Sequence, residues 1–167
     1  MRLPNFAFIV AIVLVATVVP PDFVVANSSL REARILMEQS KFKQAKEALW
    51  PLAQSGNADA EELIGVLYAM GLGVPRDDVR AFEWYLRASM KAHPGAQSGV
   101  GWYYEVGRGM PSPDLMRAYM WYTLSAIGGD PDAAVSQEEV GKKMSKAQIR
   151  RALAMVRDYK VWLYPFR

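Results

Sequence analysis

The sequence predicts an all-α solenoid of stacked helical pairs closed by a C-terminal capping helix, and three observations predict it. The first is an internal echo. Gly65-Val66-Leu67-Tyr68, followed by Gly71, Gly73 and Pro75, recurs 36 residues later as Gly101-Trp102-Tyr103-Tyr104, followed by Gly107, Gly109 and Pro111. The second is the continuation of that echo. Ala81, Trp84, Tyr85 and Ala88 recur 37 residues later as Ala118, Trp121, Tyr122 and Ser125, with one residue inserted between Gly109 and Ala118. The third is punctuation: glycine and proline fall between the halves of each copy and leave two uninterrupted helical segments. A fixed period of this length is the signature of a repeat architecture, in which each unit buries its apolar face only against its neighbours.

The first copy occupies residues 58–92 and predicts helices over about Ala58 to Met70 and Val79 to Lys91. The second occupies 93–128, with helices over about Gly95 to Val106 and Leu115 to Ile127. Gly71 and Gly107 stand just past a helix end, where a left-handed residue is needed and glycine pays no Cβ penalty. Asp77 or Asp78 is placed to cap the second helix of the first copy, and Asp114 or Ser112 that of the second. Residues 27–57 form a degenerate N-terminal pair. Its first helix is expected over Ser29 to Gln39, Ser40-Lys41 replaces the glycine turn, and Ala45 and Leu49 lie 36 residues before Ala81 and Tyr85. Residues 129–167 read as a partial repeat and a basic capping helix. Asp130 and Pro131 form a helix start. Ser145 and Gln148 form a capping box opening a final helix over Lys146 to about Leu163, with Ile149, Leu153, Val156 and Leu163 along one face.

Residues 1–26 are not expected to be part of this stack. Arg2, the apolar run Phe6 to Val19, the break at Pro20-Pro21 and the small residues of Val24-Val25-Ala26 have the pattern of a secretory signal peptide cleaved after Ala26. The apolar run is shorter than the ~20 residues that span a bilayer. The expected mature chain, Asn27 to Arg167, is exported, to a periplasm or the cell exterior. The whole chain has 167 residues, 51% of them hydrophobic and 22% charged, which fits one globular domain. It has no cysteine, which excludes disulfides and thiolate metal sites. A net charge of +3 is too mild to argue for nucleic acid.

The run Leu67-Tyr68-x-x-Gly71-x-Gly73-Val74 with Ala81-x-x-Trp84-Tyr85-x-x-Ala88 resembles the Sel1-like repeat, a relative of the tetratricopeptide repeat. The resemblance implies a right-handed α/α solenoid. It also implies a binding adaptor, since members of that family are mostly non-catalytic and many are exported bacterial proteins acting in envelope regulation, polysaccharide export or host contact. The cysteine-rich branch of the family is a poor match.

No catalytic constellation or cofactor site emerges from the residues. Gly71-x-Gly73 follows a helix rather than a strand, and Arg76 stands where a dinucleotide loop needs its third glycine. His93 lacks a second imidazole or thiolate for zinc and reads as a solvated or helix C-terminal side chain. Glu61-Glu62 and Asp77-Asp78 sit near helix starts, where exposed N–H groups favour negative charge. Two features exceed the repeat. Trp102, Tyr103 and Tyr119 stand where the first copy has Val66, Leu67 and Phe82, and are candidate anchors for a protein or peptide in the concave groove. From Lys142 onward eight basic residues face one acidic. Arg150 and Arg157, with Trp162, Tyr164 and Phe166 behind them, are candidate contacts to an anionic envelope surface. The expected function is that of a non-enzymatic exported scaffold for protein–protein interaction in envelope assembly or regulation. The alternative is an envelope hydrolase or accessory factor acting on peptidoglycan or another polysaccharide, which needs a deep pocket lined by carboxylates of raised pKa.

Overall fold

In the computed structural model, residues 21–109 and 111–163 are described, with side chains from Ser29 to Tyr159 apart from Met110. The described residues form eight α-helices and no strand: α1 (Pro21–Glu38), α2 (Phe42–Gln54), α3 (Ala58–Met70), α4 (Asp78–Ser89), α5 (Pro94–Val106), α6 (Leu115–Ile127), α7 (Pro131–Lys142) and α8 (Lys146–Leu163). Each helix from α1 to α6 packs on the next in the chain, and α8 returns to lie against α6. None of these helices is long and apolar enough to cross a membrane. The expected signal peptide falls largely on residues 1–20, outside the described residues.

The predicted turns carry the fold. Gly71 and Gly107 close α3 and α5 in the left-handed region, at φ 69° and 71°. Asp77, Asp114 and Asp130 each accept a backbone N–H at the start of the following helix. In the degenerate copy the turn has no glycine, and Ser40 takes the left-handed conformation at φ 58°. Such a residue is strained by about 1–2 kcal/mol, here offset by the helix-closing bond from Lys41 N–H to the Leu36 carbonyl. Ser145 and Gln148 form the reciprocal capping box, with Gln148 Oε1 accepting from Ser145 N–H and Ser145 Oγ from Gln148 N–H.

Small residues set the helix spacing. Ala45, Ala53, Ala81, Ala88, Ala96 and Ala118 are completely buried, as is Leu49. The Tyr85 ring lies between two glycines: a methyl group built on Gly65 of α3 or Gly99 of α5 would come 3.0 Å from it. In the next unit the Tyr122 ring lies against Gly101, where a methyl would approach to 2.9 Å. One aromatic ring thus fills the space between successive first helices, backed by bare backbone.

The structure departs from the sequence expectations at three places. α1 begins at Pro21, not Ser29; proline is well suited to the first helical position because its missing N–H would be unpaired there anyway. His93 is neither a solvated side chain nor a C-terminal cap. Its Nδ1 accepts the Ala96 N–H and caps α5 at its start. On α8 the buried face is Ala152, Val156 and half-buried Ile149, Met155 and Tyr159, while Leu153 is exposed. The face turned by one residue because α8 meets α6 through Tyr159, whose ring stands edge-on to Trp121 at 5.1 Å.

Candidate functional site

The strongest candidate site lies between α3 and α5. The final turn of α3 supplies Ala69 and Met70, α5 supplies Gly99, Trp102 and Tyr103, α4 supplies Tyr85, and the two glycine loops supply Arg76 and Arg108; together they line a cavity of about 470 Å³. That size falls within the roughly 300–1,000 Å³ range of ligand pockets. None of the lining residues is a carboxylate. Met70 is 69% exposed and Trp102 39%. Val106, one turn beyond Trp102 on α5, is also exposed and extends the apolar strip.

The wall is held by an aromatic network. Tyr103 is 1% exposed, so its ring backs the cavity from within the core instead of standing free as an anchor. It meets Trp102 edge-on at 5.1 Å, Phe82 at 5.9 Å and Tyr85 at 6.1 Å. The Tyr103 hydroxyl donates to Asp78 at 3.3 Å, and Asp78 also takes the Arg76 guanidinium at 3.1 Å. Burial, and then the Asp78 charge beside it, push the Tyr103 phenol above its ordinary range. Arg108 lies over the Trp102 ring, 5.5 Å from its centroid, in the range of a cation–π contact.

The other predicted site residues stand elsewhere. Tyr119 is half-buried between α6 and α7, its ring against Gly141. Arg150 and Arg157 are exposed on α8, and Arg157 pairs with its neighbour Asp158 at 3.1 Å. The side chain of Trp162, and Tyr164 and Phe166 altogether, lie outside the described residues. The structure therefore brings Trp102 and Tyr103 together and leaves Tyr119, Arg150 and Arg157 apart from them.

Sequence reasoning missed Met70, Arg76 and Arg108. A signal was present: all three differ from their counterparts in the other strong copy, Val106, Ser112 and Leu72. It also missed a pair of carboxylates with opposite fates. Glu61 is fully buried and held by Arg87 at 3.0 Å and by Lys91, tying α3 to the end of α4. Glu62, one residue on, lies near Gly95 in the first turn of α5. Burial pushes its carboxyl up to about 7, with Arg34 pulling down and Asp59 pushing up. Glu62 is not among the residues that line the cavity, although its charge acts on one of them, Tyr85.

Comparison with known proteins agrees with this geometry. The Sel1 repeat model matches residues 58–93 and 94–130. Two Arabidopsis thaliana proteins, the ERAD-associated E3 ubiquitin-protein ligase components HRD3A and HRD3B, are each 34% identical over 88 and 85 residues, 53% and 51% of this chain. The chain spans only 13% and 14% of their length. Among solved structures, a protective antigen present in uropathogenic Escherichia coli strains, displaying an SLR fold, superposes with a TM-score of 0.77 at 22% identity, covering 84% of this chain and 31% of that one. A Sel1 repeat protein from Oxalobacter formigenes gives a TM-score of 0.61 at 31% identity, over 65% of this chain and 44% of that one. Residues 58–93 and 94–130 are therefore Sel1 repeats, and the helices around them continue the Sel1-like solenoid.

Proposed function

We propose that this chain is a non-enzymatic, exported scaffold that holds a protein partner on its α3–α5 face, with the cavity at Trp102 as the anchoring point. The observation that carries this reading is an exposed apolar strip, Met70, Trp102 and Val106, beside a preformed pocket without a carboxylate. Exposed tryptophan backed by a rigid aromatic wall is the composition of an interface hot spot, because little side-chain freedom remains to be lost on binding. Export, with a role in envelope assembly or regulation, rests on the leader pattern of residues 1–26.

The test is capture of a partner from the native envelope fraction by the wild-type chain, by Trp102→Ala and by the surface control Ile127→Ala. A partner retained by the wild type and the control but lost by Trp102→Ala is the expected result. Equal retention by all three refutes the site. Detection of residues 1–26 in the mature protein by mass spectrometry refutes cleavage.

A second contact surface is favoured by the outer face of α8. Lys146, Arg150 and Arg151 are exposed there without a carboxylate partner among the described residues. This basic face fits an anionic envelope surface.

A further inference from the structure

We propose that the segment docked at Trp102 is acidic: an extended stretch of the partner in which one large apolar side chain is flanked by aspartate or glutamate. This deepens the docking reading above and rests on it.

The inference comes from which charges around the cavity are already satisfied. Asp78 is shared by Arg76 and the Tyr103 hydroxyl. Glu105, farther along α5, is bound by Lys143 at 2.8 Å and by the Tyr122 hydroxyl at 3.0 Å. On the α1 side, Asp59 is bound by Arg34 at 2.8 Å. Arg108 has no carboxylate partner among the described residues. Among the described residues it is the one cation at the mouth of the cavity whose charge is not countered.

Its position makes that charge specific. The guanidinium lies over the ring that an incoming apolar side chain would contact. Its planar fork keeps donors available to a carboxylate while one face rests on the indole. Arg76, exposed and paired only across the surface to Asp78, lies on the opposite loop as a second donor. A segment seated on Trp102 and Met70 thus carries its apolar group into the pocket and passes between two arginines. A lysine beside the apolar residue would meet the uncountered Arg108 and be repelled.

Among the described residues the site occurs once. The first copy has Val66 and Leu72 where the second has Trp102 and Arg108, and the second has Ser112 where the first has Arg76. Only the junction of α3 with α5 combines all three.

The experiment is selection of a phage-displayed random peptide library, fused so that no peptide has a free C-terminal carboxylate, on the full chain, on Trp102→Ala and on Arg108→Glu. Circular dichroism checks that each variant is folded. On the wild type we expect enrichment of peptides with an aromatic or large aliphatic residue flanked by aspartate or glutamate. A selected peptide should bind Arg108→Glu roughly tenfold more weakly at low salt, since reversal exchanges one exposed attraction for a repulsion of similar size. High salt should shrink that difference. On Arg108→Glu the selected flanking residues should shift toward lysine and arginine, and Trp102→Ala should select nothing. Apolar peptides without an acidic preference, lost on Trp102→Ala but indifferent to Arg108→Glu, would overturn the acidic inference and leave docking intact. No enrichment on the wild type would also overturn it.

Discussion

Replacing Glu61 tests how α3 is fastened to α4. Its carboxylate is 0% exposed and accepts from Arg87 Nε at 3.0 Å and from Lys91. Charge-assisted hydrogen bonds contribute about 1.5–3 kcal/mol each. The two cations are 49% and 41% exposed and regain water when the carboxylate is gone, so the lower end applies. Glu61→Ala should therefore cost about 3 kcal/mol, below the full cost of stranding a buried charge. With a urea m-value of about 2 kcal/mol/M, the midpoint falls by about 1.5 M, followed by circular dichroism at the helical band. Glu61→Gln keeps the volume and one acceptor and should lose about half as much. Glu61→Leu separates polarity from packing. If it is as stable as the wild type, or if Glu61→Ala moves the midpoint by less than about 0.3 M, the ion triad does not fasten the pair and the reasoning is refuted.

Three further outcomes are expected. Gly65→Ala should destabilise by about 1–3 kcal/mol, because its methyl would meet a Tyr85 ring that Gly99 prevents from retreating, while Gly95→Ala, whose methyl has no neighbour nearer than 3.5 Å, should be neutral or slightly stabilising; equal effects in thermal melts would refute the ring-spacer account. Glu62, raised to about 7 from 4.5, contributes stability that is fully present below about pH 4.5 and lost as pH rises through about 7. Glu62→Gln should accordingly match the wild type near pH 5 and exceed it by up to about 3 kcal/mol at pH 8 in denaturant titrations, and a constant offset at both pH values would contradict the burial of a neutral carboxyl. Deleting residues 161–167 should leave the melting of the helices unchanged, since α8 is fixed by Ala152, Val156 and Tyr159, and should weaken sedimentation with anionic vesicles; unfolding on truncation would make that segment a structural cap.

The parts of the fold written locally were legible. The bounds Ala58–Met70 and Leu115–Ile127, and the caps Asp77, Asp114 and Asp130, follow from residues within a turn of each boundary. Trp102 was legible as a departure between copies. What escaped depends on register between elements. Glu61 and Glu62 look alike as first-turn acids, yet Arg87 and Lys91 reach one while α5 and Tyr85 dry the other. Tyr103 resembles a groove anchor until its hydroxyl is seen to end on Asp78. Leu153 and Ala152 exchange places because the α8 face is set by where Tyr159 meets Trp121, thirty-eight positions earlier in the chain.

Tyr85 is both a spacer in the stack and the floor of the Trp102 cavity. The width of one phenol ring therefore gauges the aperture between α3 and α5. A smaller residue there would let the two backbones close and narrow the mouth before any surface residue changed. Selection for a new partner then has little freedom at the floor, where any change is felt by the neighbouring helices. The adjustable surfaces are the exposed rim positions, Met70, Arg76, Trp102 and Arg108.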